Sequence, residues 1–207
     1  MNKPILEACV ESLEQAVLAE QYGANRIELC ADLETGGLTP DHQTIAAARQ
    51  SLHIPIMVII RPRPGNFVYS EMEMQTMAAD ILYCKNAGIE GVVLGCLTEA
   101  GEVDLSKTSY LASMALPMQV TFHKAIDESK NPLAALAQIM QIQGITRVLT
   151  SGGAETAEEG QTVLKEMVKL AEGKLNVLVA GKVTKDNLRQ LHAAIGAKEY
   201  HGRRIVF

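Results

Sequence analysis

Short apolar runs alternate with longer amphipathic stretches along the whole chain. The runs begin near Ile5 (ILEACV), Arg26 (RIELC), Ile56 (IMVIIR), Gly91 (GVVLG), Met118 (MQVTFH), Thr146 (TRVLT), Asn176 (NVLVAG) and Lys198 (KEYHG). Each is short, often β-branched, and bounded by Gly, Pro or polar residues, which marks a strand. The stretches between them carry helix starts. Ser12-Leu13-Glu14-Gln15 and Ser70-Glu71-Met72-Glu73 have the capping-box pattern, in which a Ser accepts a free N–H and the residue three positions on reaches back. Thr39-Pro40 and Asn131-Pro132 place a cap before a proline at the first helical position. Thr184-Lys185-Asp186 opens the last clear helix.

The strand–loop–helix unit recurs about every 20 to 35 residues, the spacing of βα units. Eight strands and seven long helices predict an α/β fold, the TIM (β/α)8 barrel, as one domain over residues 1–207. The chain is short for that fold and stops at Phe207, so the final helix is expected to be missing or reduced. A doubly wound open sheet is the alternative. The lack of a G-x-G-x-x-G after the first strand weighs against it.

Composition narrows the function classes. With 207 residues, 47% of them hydrophobic, the chain can bury one sizeable core. The net charge of -5 and the lack of a basic run argue against nucleic acid as a partner. The absence of Trp removes stacking platforms for single strands. The start, MNKPILEACVES, lacks the apolar run of a signal peptide, and no apolar segment approaches the ~18 residues of a membrane span. The expectation is a cytoplasmic protein with no membrane partner. Cys9, Cys30, Cys84 and Cys96 form no C-x-x-C pair and should be reduced thiols.

Polar residues gather at the C-terminal ends of the strands. Glu7 and Cys9 lie on the first and Glu28 and Cys30 on the second. Arg61 and Arg63 follow the third, and Gly95-Cys96 ends the fourth. The fifth ends in His123, with Lys124 and Asp127 just beyond. Thr150-Ser151-Gly152-Gly153, Ala180-Gly181-Lys182 and His201-Gly202 close the last three. In a barrel these ends meet at the face that carries chemistry. Alternation puts Glu7 with Cys9 on one face and Glu28 with Cys30 on another, so neighbouring strands would place two carboxylates beside two thiols. Buried carboxylates need partners, and Arg61 and His123 are the expected ones. A buried ion network that only plugs the barrel mouth is the non-functional alternative.

The stretches LEACVES, GANRIELCADLETGGLTP, IIRPRPGNFVYS, TFHKAID, RVLTSGG and EYHGRR resemble the CutC copper-homeostasis family, in its order and spacing, over nearly the whole chain. The resemblance implies a TIM barrel and a role linked to copper, with direct copper(I) binding as one form of it. Two features depart from the family. Its AGxG-like run after the seventh strand is Ala180-Gly181-Lys182-Val183 here, and it usually extends beyond the eighth strand. The second departure leaves one side of the barrel less covered and, with the base rate for soluble proteins, leads to an expected homodimer.

Copper(I) is soft and prefers thiolate ligands, which Cys9 and Cys30 supply, with Cys96 a more distant third. No H-E-x-x-H or clustered Cys/His spacing supports zinc. The competing reading is an enzyme, a lyase, isomerase or hydrolase with a small anionic substrate. Glu7, Glu28, Arg61, His123 and Asp127 would form its acid–base site, with His123 moving protons near neutral pH. Arg61 and Arg63 would clamp the anion, the N–H groups of Ser151, Gly152 and Gly153 would cradle it, and His201 lies at the same face. A Schiff base on Lys124 is disfavoured, because alternation turns it from the face of His123. A non-catalytic binding protein is the third class.

Overall fold

Eight parallel strands close on themselves in the computed structural model, which describes residues 3–207. They are β1 (Ile5–Val10), β2 (Arg26–Leu29), β3 (Ile56–Ile59), β4 (Gly91–Leu94), β5 (Gln119–Phe122), β6 (Ile145–Thr150), β7 (Asn176–Val179) and β8 (Glu199–Gly202). Each pairs with the next, and β8 pairs back with β1. Seven α-helices alternate with them: α1 (Leu13–Gln21), α2 (His42–Ser51), α3 (Glu71–Asn86), α4 (Leu105–Ala115), α5 (Pro132–Ile139), α6 (Gln161–Ala171) and α7 (Leu188–Ile195). The fold is the expected TIM-like barrel, and among the described residues no helix follows β8.

Strand alternation sorts the side chains into two environments. Val10, Ile27, Val58, Leu94, Phe122 and Val179 pack outward with helix residues such as Ile45, Ile81, Leu111 and Leu164 into the main apolar core. The intervening positions face the barrel axis. Part of that interior is apolar, where Met57, Ile59 and Val93 pack against Cys9, Cys30 and Leu33. The rest is ionic.

Helix starts follow local chemistry, with three corrections. The box at α3 forms in full: Glu73 N–H donates to Ser70 Oγ (3.4 Å) and Ser70 N–H to Glu73 Oε2 (2.7 Å). Asn131 Oδ1 accepts from Leu133 and Ala134, both at 3.1 Å, ahead of Pro132. At α1 only half of the box forms, because Gln15 takes the N–H of Glu11 instead of that of Ser12. The cap of α2 is Asp41, not Thr39; its Oδ1 accepts from Thr44 N–H at 2.8 Å. Thr39 Oγ1 instead accepts from Arg61 N–H (2.8 Å) and ties the loop after β2 to the end of β3. Thr184 forms a turn with Asn187, and α7 begins only at Leu188.

Leu111→Ala, at a fully buried position of the outer core, should cost about 2–5 kcal/mol in urea unfolding. Asn131→Ala should cost about 1 kcal/mol as a lost cap. A Leu111→Ala cost no larger than the cap's would contradict the assignment of the core to the strand–helix layer.

Candidate functional site

Glu7, Arg26, Glu28, Arg147, Glu199 and His201 are all buried, on positions that alternation turns toward the barrel axis. Charge there is costly unless paired. Arg26 donates to Glu7 through Nε and to Glu199 through Nη2 (2.6 Å). Arg147 donates to Glu199 through Nε (3.0 Å) and to Gln119 through Nη2. Asn176 Nδ2 donates to the other Glu199 oxygen (2.8 Å). The series Glu7–Arg26–Glu199–Arg147 is an ionic floor across β1, β2, β8 and β6.

Above the floor, His201 bridges the two carboxyl groups. Its Nδ1 lies 2.9 Å from Glu7 Oε1 and its Nε2 3.4 Å from Glu28 Oε2. Cys9 Sγ and Cys30 Sγ are 3.9 Å apart. Ligating atoms of Cys9, Glu28 and Cys30 lie within 4.8 Å of one another, as do those of Glu7, Glu28 and His201. Burial alone would raise Glu7, but the Arg26 guanidinium and His201 overcome it and hold the carboxyl at about 2. Burial raises Glu28 well above its ordinary value, against the pull of His201. The hydrogen bond with Cys30 pulls the Cys9 thiol down to about 5 against burial, with help from His201. The same bond raises Cys30, as do burial and Glu28. Burial disfavours the His201 cation, but bonds to Cys9 and Glu7 and the charge of Glu28 raise it well above its ordinary value. The directions favour ionisation at Glu7 and Cys9 and a bound proton at His201, Cys30 and Glu28.

The carboxylate partners are therefore Arg26 and His201, not Arg61 and His123. Alternation could have found Arg26, two positions before Glu28 on the same strand face, and Arg147 and Glu199, charges inside strand segments. Arg61 donates through Nη1 to the carbonyls of Thr35 (3.2 Å) and Gly37 (3.1 Å), and through Nη2 to that of Gly65 (2.8 Å). Its guanidinium lies 4.8 Å from the Phe67 ring centroid. The Gly36-Gly37 pair serves this contact. Both have positive φ (+95° and +91°), and a Cβ on Gly36 would stand 3.0 Å from Arg61 Nη1.

Other expected site residues take other roles. Burial, with the charge of Arg61 beside it, pushes His123 down to about 3, which favours the neutral ring. Its Nδ1 accepts from Ala125 N–H (3.3 Å). Arg63 turns to Glu73 and to the carbonyls of Asn66 (2.9 Å) and Val68 (2.7 Å), away from Arg61, so the two do not form a clamp. The turn after β6 already holds an anion, which is Asp127. That carboxylate accepts from Ser151 N–H (3.0 Å) and Gly153 N–H (2.9 Å), while Gly152 N–H goes to Thr150 Oγ1 (2.9 Å). The expected anion cradle is filled from within. Lys124 pairs with Asp127 and also lines the cavity above the thiols.

That cavity, of about 480 Å³, is lined by Cys9, Glu28, Cys30, Arg61, His123 and His201 among the expected residues. Glu7, Arg63, Asp127, Ser151, Gly152 and Gly153 lie outside its lining. Arg203 and Arg204, which follow β8, join it from the C-terminal side.

The CutC family model matches residues 4–206. The human copper homeostasis protein cutC homolog is 42% identical over 200 residues, covering 97% of this chain and 73% of that protein. A CutC family protein from Chromobacterium violaceum is 43% identical over 197 residues, covering 95% of this chain and 79% of its own length. The crystal structure of CutC from Streptococcus agalactiae superposes with a TM-score of 0.92 at 32% identity, covering 98% of this chain and 99% of that one.

Arg26→Met should cost about 3–5 kcal/mol in chemical denaturation, because it takes from Glu7 and Glu199 the guanidinium they share and leaves two buried carboxylates with one cationic partner each; a cost near zero would mean that the floor is not ionised. Alkylation by iodoacetamide should rise through pH 5 at Cys9 and level off near neutrality, following its thiolate. Cys84 and Cys96, which burial pushes up to about 12, should stay unmodified in the folded protein over that range. Equal labelling of all three at pH 7 would refute the low Cys9 value.

Proposed function

The chain belongs to the CutC family, and from that premise we propose that it serves copper homeostasis by binding copper(I) through Cys9 and Cys30. The observation that carries this is the thiol pair, 3.9 Å apart on adjacent strand ends and facing the cavity. Two sulfurs each ~2.3 Å from a shared ion stand at most ~4.6 Å apart, so the pair fits one ion without moving the strands. Sulfur donors favour a soft ion over magnesium or calcium. The harder set, Glu7, Glu28 and His201, is already engaged by Arg26 and by its own internal bonds. Ligation by Cys30 requires loss of its proton, so binding releases it.

On this reading the protein is cytoplasmic, where its four free thiols stay reduced, and has no membrane partner. No helix among the described residues is long and apolar enough to cross a membrane. We also take it as a homodimer. The exposed Leu18 and the Tyr22–Phe207 edge contact (5.6 Å between centroids) supply apolar surface for that. The second reading, an acid–base enzyme with a small anionic substrate, draws support from the arginines around the cavity. Glu28 and His201, 3.4 Å apart, would be its proton carriers, and Glu7 and Asp127 would position them and the loop after β6.

The test is a copper(I) titration of the reduced protein against a competing chelator. One equivalent should bind tightly. Cys9→Ala and Cys30→Ala should each weaken binding by more than about 100-fold, beyond the usual effect of losing a residue that only supports a ligand. Binding that is weak, or indifferent to both variants, would overturn the site and leave the enzyme reading.

A further inference from the structure

The cavity above the thiols holds positive charge that the protein does not neutralise. Arg61, Arg203 and Arg204 line it, and among the described residues none of the three has a carboxylate at ion-pair distance. Lys124 and Lys182 also line it, but they are paired with Asp127 and Glu155. Glu28 is the one carboxyl in the lining, and the cation beside it is His201, at 3.4 Å, not one of the three arginines.

Arg61 is the most telling of the three. It is 5% exposed, its bonds go only to neutral backbone carbonyls, and its Nε has no partner. A buried guanidinium without a counter-charge is costly to hold. Beside it, His123 is 4% exposed, and its Nε2 also lacks a partner. Because Nδ1 accepts from Ala125 N–H, the neutral ring carries its proton on Nε2, as a donor. Two buried donors thus stand unsatisfied at one wall of the cavity. The rest of the lining is largely apolar, including Leu33, Ile59, Phe67, Leu149 and Val183. The volume, about 480 Å³, is that of a small-molecule site.

We propose that this cavity binds a small organic oxyanion, a molecule with a phosphate or carboxylate group and an apolar body. Arg61, Arg203 and Arg204 hold the acidic group with His123 Nε2–H, and Leu33, Phe67 and Leu149 pack against the body. Guanidinium forks suit both acid types. Lys182 adds a second sign of a built site. It has a positive φ of 55°, a conformation that favours glycine, in the loop after β7 that helps form the cavity rim. The inference concerns binding alone and goes beyond the copper reading, requiring neither copper nor catalysis.

The experiment is calorimetric titration of the whole reduced protein, with no copper present, by phenyl phosphate, benzoate, inorganic phosphate and the neutral control benzyl alcohol. At least one of the two aromatic anions should bind, and at least tenfold more tightly than benzyl alcohol and inorganic phosphate. The tighter of the two identifies the acidic group. Arg61→Ala loses the loop anchor and is a poor probe, so the exposed Arg203→Ala and Arg204→Ala carry the mutational test. Each should weaken the anion several-fold, and together at least tenfold, whereas Lys198→Ala, just before β8 and outside the cavity lining, should change nothing. Anions that bind no better than benzyl alcohol, or binding that survives the double arginine variant unchanged, would overturn the proposal. Since copper is absent, neither outcome depends on the fate of the thiol site.

Discussion

The Glu7–Arg26–Glu199–Arg147 series governs the barrel interior. Four charges from β1, β2, β8 and β6 meet where a barrel of this fold usually stacks branched apolar side chains. Desolvation makes such a network a weak net stabiliser, but breaking it is expensive. Its main effect is on register. Glu7 and Arg26 are direct cross-strand partners, and Glu7 pairs on its other side with His201. A slip of one residue would turn these charges into the outer apolar layer. The closure of β8 onto β1 is thus coupled to the ion pairing that it permits.

The chemistry at the mouth follows from that floor. Arg26 and His201 hold Glu7 low, Cys9 and Glu7 raise His201, and His201 adds to the bond with Cys30 that lowers Cys9. The thiol pair then lines a cavity that Arg61 and His123 also line. A soft thiolate zone and a cationic zone share one opening. The turn at Gly36-Gly37 stands between them, since Arg61 donates to the carbonyls of Thr35 and Gly37 while the α-carbon of Gly37 faces Cys30 Sγ.

Much of this was legible in the sequence where local rules decide. The eight runs start within about one residue of the strands, because punctuation by Gly and Pro and β-branched content are local signals. Alternation along LEACV and RIELC brought Glu7, Cys9, Glu28 and Cys30 to one place. Counting the same alternation back by two residues would have added Arg26, and applying it to TRVLT and KEYHG would have added Arg147 and Glu199. The loops were less readable. Asp127 reaches back to the turn at Ser151 and Gly153, and Thr39 to Arg61, through contacts more than 20 residues apart in sequence. No local pattern specifies such pairings. The link to copper came from the family resemblance, since two cysteines 21 positions apart carry no metal-site spacing of their own.

Copper-edge X-ray absorption of the reduced protein loaded with one equivalent of copper(I) probes the thiol site most directly. A first shell dominated by two sulfur neighbours, reduced to one in Cys30→Ser, is the expected result. A shell of nitrogen and oxygen neighbours, or a sulfur shell that Cys30→Ser leaves intact, would contradict binding by Cys9 and Cys30.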